Sequence, residues 1–203
     1  VCGDGRVAHG AIELLRKLKI HQVSQPEFLN EDYNQPIFVQ LRSEDYYERK
    51  DGRPWDKSDF YKHPEDYRSC FKSYYQKADI MINAVFWKDG IEPFFTHEEM
   101  KDGDFRIKII SDITCDIPGP IPSTLRSSTI SNPFYGYNVY LEKEVPAFQP
   151  NVIDVQAVGN LPCELPFDAS IEFGEQLVRH VLPSLLNQDT DNIIANATIA
   201  SGG

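Results

Sequence analysis

The sequence predicts an α/β fold with a doubly wound, mostly parallel sheet and helices on both faces of that sheet. Two observations lead to this prediction. A glycine-rich turn lies between a short apolar segment and an amphipathic helix within residues 1–19. Apolar runs of strand length then recur at residues 78–87, 105–113 and 152–158, and such runs are typical of buried parallel strands.

The glycine-rich turn matches the pattern G-x-G-x-x-A, in which Gly3, Gly5 and Ala8 hold the defining positions. Gly3 permits a tight turn, Gly5 lets the backbone approach a pyrophosphate, and Ala8 lets the helix pack close to the strand. The helix start presents unpaired N–H groups to anions, and Arg6 adds a cation. The turn therefore predicts a Rossmann-like domain that binds NAD or NADP. The alternative is a glycine turn that binds nothing.

The second strand is predicted at residues 21–24. In dinucleotide-binding folds an acidic residue at the end of this strand binds the ribose hydroxyls. Here Ser24 occupies that position and the nearest acid is Glu27. Ser24 is therefore the candidate ribose contact, and because serine tolerates a 2′-phosphate, the choice between NAD and NADP stays open.

Residues 37–41 form a further candidate strand, and an insertion rich in charged and aromatic residues follows at about 42–77. A helix is predicted from Pro64 to about residue 77, because proline and acidic residues favour a first helical turn. We favour a solvated surface insertion. The alternative is a lid or a subunit contact formed by the aromatic side chains of Trp55, Phe60, Tyr61 and Tyr67.

Polar and aromatic residues follow the later strands, at the edge where open α/β sheets bind ligands. Phe86 and Trp87 end the run at 78–87, and they either stack on a cofactor or belong to the core. Asp112 and Asp116 end the next strand, and they either line the cofactor crevice or cap a turn. Beyond them we predict a small β excursion at about 134–150 and an amphipathic helix at 167–186.

Composition excludes several classes of function. The 203 residues carry a net charge of −11, so no basic surface is available for nucleic acid or for an anionic membrane. No apolar run is long enough to span a bilayer. The cysteines form no C-x-x-C pair, which argues against a zinc site and indicates a reducing, cytoplasmic location; they are Cys2, Cys70, Cys115 and Cys163.

Several motifs resemble the saccharopine dehydrogenase and lysine–ketoglutarate reductase family, which is related to alanine dehydrogenase and to transhydrogenase. They are Gly5-Arg6, residues 111–122, and the Gly159-Asn160-Leu161-Pro162 turn with Leu165-Pro166 after it. The resemblance covers most of the chain and implies an NAD(P)-dependent oxidoreductase that makes or cleaves the secondary amine of an opine such as saccharopine. The alternatives are an alanine dehydrogenase and a nucleotide-binding module without catalysis.

The resemblance also implies roles for individual residues. Gly5 and Arg6 would lie on the pyrophosphate. Further dinucleotide contacts would come from Phe86, Ile113, Val158, Gly159, Asn160 and Leu161. The amino-acid substrate would touch Thr114, Cys115 and Asp116.

The family's proton-transfer lysine and histidine belong to a domain before the glycine motif. We expect residues 1–203 to be the NAD(P)-binding domain alone, without that domain, because the sequence opens on Val1 with only two apolar residues of its first strand. No residue is therefore assigned as catalytic. His9 and His63 are interpreted as structural. The expected partners are the missing domain and a small amino acid, and a homo-oligomer is left open.

Overall fold

A computed structural model describes residues 1–200 of the chain. The chain divides into two compact units, Val1–Gly159 and a second unit that begins at Asn160. Each unit is described by itself.

The first unit opens on residues 1–3, which bond to neighbours on both sides. Cys2 forms parallel bridges to Leu41 on one side and to Asn83 on the other. Helix α1 (Arg6–Lys17) follows directly, with Gly5 as its N-cap and Ala8 and Ile12 as its buried residues. The predicted order of short strand, glycine turn and helix is therefore present.

The strand pairing beside residues 1–3 joins segments that are far apart in the chain. Strand β1 (His21–Gln22) pairs in parallel with β2 (Ile37–Phe38), and helix α2 (Gln25–Asn30) connects them. The chain that continues from β2, at residues 39–41, then bonds to residues 1–3. The second strand along the chain is thus one place further out than expected, and residues 37–41 are the immediate neighbour of the glycine turn.

On the other side of residues 1–3 lies a five-stranded sheet. Its strands are β5 (Ile80–Asn83), β6 (Ile109–Asp112), β7 (Phe134–Asn138), β8 (Lys143–Val145) and β9 (Ile153–Gln156), in the order β5-β6-β9-β7-β8. The first three strands in that order are parallel. The last two are antiparallel, because the hairpin of β7 and β8 bonds directly to β9. The predicted α/β class is confirmed, and the sheet is mixed.

The insertion contains short elements instead of the helix predicted from Pro64 to about residue 77. They are α3 (Ser43–Tyr46), β3 (Tyr47–Arg49), α4 (Lys57–Lys62), a 3-10 turn (Pro64–Asp66), β4 (Tyr67–Ser69) and α5 (Lys72–Tyr75). The predicted helix is wrong because β4 pairs antiparallel with β3, and that pairing requires extended backbone where the helix was expected.

Aromatic side chains of the insertion are buried, so a wholly solvated insertion is also wrong. The buried rings belong to Tyr46, Tyr47, Phe60, Tyr67 and Phe71. They pack on one another and on Phe94, whose ring centroid lies 4.9 Å from that of Tyr46. The buried guanidinium of Arg49 lies over the Tyr67 ring and pairs with Asp51, Asp59 and Asp66. The insertion thus contributes its own part of the core.

The second unit is helical. A 3-10 turn (Leu161–Glu164) leads into α6 (Pro166–Gln176), a π-helical turn (Leu177–Val181), α7 (Leu182–Leu186) and α8 (Ile193–Ala197). The helix predicted at 167–186 is confirmed, with the π-helical turn in its middle. Within residues 1–200, no helix has both the length and the apolar character needed to cross a membrane.

Candidate functional site: the glycine turn and the strand ends beside it

Gly3 is required by the packing of the protein itself. Its φ of +128° is a backbone conformation that other residues rarely adopt, and a Cβ there would lie 2.5 Å from the Ala84 carbonyl oxygen. Its own carbonyl oxygen accepts a hydrogen bond of 3.0 Å from the Gln40 side chain. A Cβ on Gly3 would also lie 3.2 Å from the Ala8 methyl group, so the turn and the helix are closely packed.

Gly5 is different, because its surroundings within residues 1–200 do not require glycine. Its φ of −89° and ψ of −179° are ordinary extended values, and no atom of these residues lies within 4 Å of the position a Cβ would take. No side chain caps the N-terminus of α1, so its first N–H groups face this open space. The site therefore has room and hydrogen-bond donors for an anion.

The predicted substrate contacts lie at the carboxyl ends of neighbouring strands. The Ile113 amide donates to the Asn83 carbonyl oxygen at 2.9 Å, and the Thr114 hydroxyl donates to the Val85 carbonyl oxygen at 2.8 Å. The Cys115 thiol, on a residue with φ of +53°, donates to the Ala157 carbonyl oxygen at 3.3 Å. These bonds bring residues 113–115 together with the ends of β5 and β9, and half-buried Asp116 follows them.

Asp112 caps the turn instead of lining a crevice. Its carboxylate is buried and accepts hydrogen bonds from the Asn83 amide at 2.8 Å, the Thr124 hydroxyl at 2.7 Å and the Cys115 N–H at 3.2 Å. Burial raises the pKa of this carboxyl, and the three donors only partly oppose that rise. Asp112 therefore holds the loop that carries residues 113–116.

The raised pKa of Asp112 predicts how stability depends on pH. Between the ordinary value of 3.8 and the raised value, the folded state binds a proton that the unfolded state has released, so stability falls as the pH rises through this window. Asparagine does not titrate, so we expect Asp112→Asn to lack this pH dependence. As the pH rises, the free energy of unfolding of the wild type should fall relative to that of the variant. Urea unfolding of both proteins from about pH 4 to about pH 8 measures this difference in stability. Parallel plots of the free energy of unfolding against pH would contradict the prediction.

Ser24, the predicted ribose contact, lies at the start of a helix. It is the N-cap of α2, where its amide donates to the Glu27 carboxylate at 2.7 Å and its hydroxyl accepts from the Glu27 N–H at 3.5 Å. The strand that precedes it pairs with β2 and not with residues 1–3. The ribose contact at Ser24 stays a prediction, and it assumes that the strand before Ser24 lies beside residues 1–3.

Arg42 lies beside the glycine turn, at a place for which the sequence indicated no candidate. It directly follows residues 39–41, the neighbours of the glycine turn, and its Nε lies 3.6 Å from the carboxylate of Asp4, within the turn itself. A second guanidinium nitrogen lies 3.9 Å from the Glu44 carboxylate. The strand at 37–41 was predicted from its apolar pattern, but that pattern carries no information about which strand is its neighbour.

The remaining predicted dinucleotide contacts lie in both units of the chain. Phe86 is 73% exposed and its ring centroid lies 6.0 Å from that of Tyr61, whereas Trp87 packs against the core. Val158 is buried and bridges Ser128, and a Cβ on Gly159 would lie 3.2 Å from the Ser127 hydroxyl. In the second unit, Asn160 has a left-handed backbone and leads into the 3-10 turn that begins at Leu161.

Two exposed histidines have carboxylates nearby that the sequence did not indicate. His9 Nε2 lies 3.9 Å from Asp4, and His63 Nδ1 lies 3.6 Å from Glu65. Among residues 1–200 no group of histidine, cysteine and acidic side chains is arranged to hold a metal ion.

A large apolar groove lies away from this edge. Its volume is about 610 Å³, and its lining includes Leu15, Phe28, Ile80 and Ile107. These residues lie toward the amino ends of the strands. Ligands of open α/β sheets bind outside the carboxyl ends, so the glycine turn fits the usual ligand position of such sheets better than this groove does.

No family model matches the chain. Several known proteins are nevertheless similar to it in sequence. The chain is 27% identical over 196 residues to alpha-aminoadipic semialdehyde synthase of Arabidopsis thaliana, which covers 86% of the chain and 18% of that protein. It is 24% identical over 232 aligned residues to the mitochondrial alpha-aminoadipic semialdehyde synthase of Mus musculus, which covers 99% of the chain and 25% of that protein.

A third relative carries a different name. The chain is 28% identical over 123 residues to saccharopine dehydrogenase [NAD(+), L-lysine-forming] of Schizosaccharomyces pombe, which covers 57% of the chain and 30% of that protein. The chain thus spans less than a third of the length of each of these curated relatives.

Proposed function

We propose that the chain is the nucleotide-binding part of an NAD(P)-dependent oxidoreductase of lysine metabolism. Its similarity to alpha-aminoadipic semialdehyde synthases and to a saccharopine dehydrogenase supports the saccharopine dehydrogenase and lysine–ketoglutarate reductase family. The reaction makes or cleaves a CH–NH bond in the secondary amine of an opine such as saccharopine. The fold in this proposal is Rossmann-like, with α1 following the central strand and the nucleotide at the carboxyl ends of the parallel strands.

One observation carries the proposal, namely the contrast between the two glycines of the turn. Gly3 is glycine because its neighbours leave no room, but Gly5 faces open space in an ordinary conformation. The open space at Gly5 lies at the start of α1, where a ligand could approach the backbone closely. The amides of the first turn and the Arg6 side chain would hold the pyrophosphate there.

The bound nicotinamide would supply or accept a hydride. The protein's task is then to fix the position of the substrate beside it. Thr114 and Cys115 suit this task, because hydrogen bonds to the Val85 and Ala157 carbonyl oxygens restrain them. Asp116, Phe86, Ile113 and residues 158–161 are proposed contacts on the basis of the resemblance.

An assay with the full-length protein tests the function. We expect NADPH or NADH to be oxidised in the presence of lysine and 2-oxoglutarate. The loss of nucleotide absorbance measures this oxidation. Oxidation only with pyruvate and ammonia would replace the proposal with an alanine dehydrogenase. Nucleotide binding in calorimetry without turnover of either substrate pair would replace it with a non-catalytic module.

A further inference from the structure

We propose that Ser127 binds an amine nitrogen of the substrate, because its hydroxyl oxygen is placed to accept a hydrogen bond from an N–H group. This inference rests on the proposed function and deepens it. Ser127 lies in the loop between residue 116 and β7, where the sequence indicated no site residue.

The position of Ser127 follows from backbone pairing beyond the end of β9. The Ser128 amide donates to the Ala157 carbonyl oxygen at 2.8 Å, and the Ala157 amide donates to the Ser128 hydroxyl at 3.2 Å. Ser128 also forms a parallel bridge with Val158. These bonds fix Ser127 at the carboxyl edge of the sheet, beside the end of β9.

The Ser127 hydroxyl lies between two predicted contact segments. Its oxygen is 3.3 Å from Cys115 Sγ, and it would be 3.2 Å from a Cβ on Gly159. Cys115 is a predicted substrate contact and Gly159 is a predicted dinucleotide contact. Ser127 itself is exposed, so its hydroxyl is accessible at the place where substrate and nicotinamide would meet.

The hydrogen bonds around Cys115 determine what Ser127 can bind. A thiol has one hydrogen, and Cys115 donates it to the Ala157 carbonyl oxygen at 3.3 Å. The sulfur therefore accepts in its contact with Ser127, and the Ser127 hydroxyl is the donor there. The lone pairs of the hydroxyl oxygen remain for a ligand, which has to donate to them. This requirement favours the N–H of an amine over a carboxylate oxygen.

The charges nearby agree with a cationic nitrogen. Half-buried Asp116 directly follows Cys115 and adds a carboxylate to the same loop. The adjacent cation, Arg126, is paired, because its Nε and Nη2 each donate to the Glu144 carboxylate at 2.7 Å and its guanidinium lies over the Tyr135 ring. Since Glu144 balances the charge of Arg126, an ammonium group at Ser127 meets little repulsion.

Steady-state kinetics of the full-length protein test the inference, with lysine and 2-oxoglutarate varied separately. We expect Ser127→Ala to raise the KM for lysine about tenfold, because a hydrogen bond to a charged group contributes about this much. The KM for 2-oxoglutarate, which carries no N–H group, should change less than about threefold. Ser127→Thr keeps the hydroxyl and should restore most of the affinity for lysine.

Ser131→Ala is the matched control. Ser131 is an exposed serine of the same loop, and its hydroxyl oxygen lies 3.1 Å from that of Thr129. The variant removes the same chemical group at another place, so we expect both KM values to stay unchanged. Thermal unfolding of all three variants checks that each remains folded.

The possible failures are distinguishable. A rise in the KM for 2-oxoglutarate alone in Ser127→Ala would show that Ser127 donates to a carboxylate, and an equal rise in both KM values would show a general disturbance of the site. Either result, or an unchanged KM for lysine, would overturn the role of Ser127 and leave the proposed function intact. If the wild type oxidises neither nucleotide with lysine and 2-oxoglutarate, the proposed function itself is refuted, and this inference with it.

Discussion

Gly5→Val weakens binding of NADPH and NADH by about 100-fold or more while the protein remains folded; this is the largest effect that we expect on ligand binding. The valine side chain would occupy the open space in front of α1 where the pyrophosphate is proposed to lie. The extended backbone at Gly5 suits valine. The loss of a favourable N-cap residue costs about 1 kcal/mol of stability. Calorimetry measures the affinity, and urea unfolding measures the stability.

Gly10→Ala is the control for that experiment. Gly10 lies inside α1, and a Cβ there would also meet no atom within 4 Å. We expect alanine at this position to leave nucleotide affinity unchanged and to stabilise the protein by about 1 kcal/mol, because glycine is unfavourable inside a helix. Wild-type affinity in Gly5→Val would show that the phosphate cradle is misplaced.

Gly3→Ala has the largest expected effect on stability, a loss of about 3 kcal/mol in the free energy of unfolding. Two costs combine in this variant. Alanine is strained at a φ of +128°, and its Cβ would press on the Ala84 carbonyl oxygen at 2.5 Å unless the neighbouring strand shifts. Urea unfolding measures the loss as a lower midpoint at unchanged slope.

Gly52→Ala separates the two costs. Gly52 has a φ of +76°, but no atom lies within 4 Å of the position that a Cβ would take, so this variant has the backbone strain without the clash. We expect it to lose only about 1 kcal/mol. A loss in Gly3→Ala no larger than that in Gly52→Ala would contradict the close packing of the turn against Ala84.

Local features of this fold could be predicted from the sequence, and pairing between distant segments could not. The glycine turn, α1 and the strands at 80–83, 109–112 and 153–156 each have a pattern contained within a few residues. The order of strands beside residues 1–3 depends on hydrogen bonds to segments far along the chain, which hydrophobic periodicity does not encode. For this reason the pattern does not show that Arg42, and not Ser24, follows the strand beside residues 1–3.

The burial of individual side chains is the second property that the sequence pattern does not predict. This affected the prediction of the candidate site directly. The pattern after β6 predicted acidic residues at a sheet edge, but it could not distinguish a carboxylate that faces a crevice from one that is enclosed by Asn83, Thr124 and the Cys115 N–H. Likewise, aromatic residues among many charges do not indicate which rings are buried. In the insertion, Tyr46 and Tyr67 are almost completely enclosed.

The aromatic packing of the insertion limits how the protein could be shortened. Phe71 and Phe94 lie outside the stretch between Arg42 and Ser69, yet they pack against its rings. Excision of that stretch to obtain a smaller protein would remove the Tyr46 ring from both phenylalanines and expose apolar surface that favours aggregation. A workable truncation would need compensating polar substitutions at both positions or a grafted replacement that restores an apolar cover.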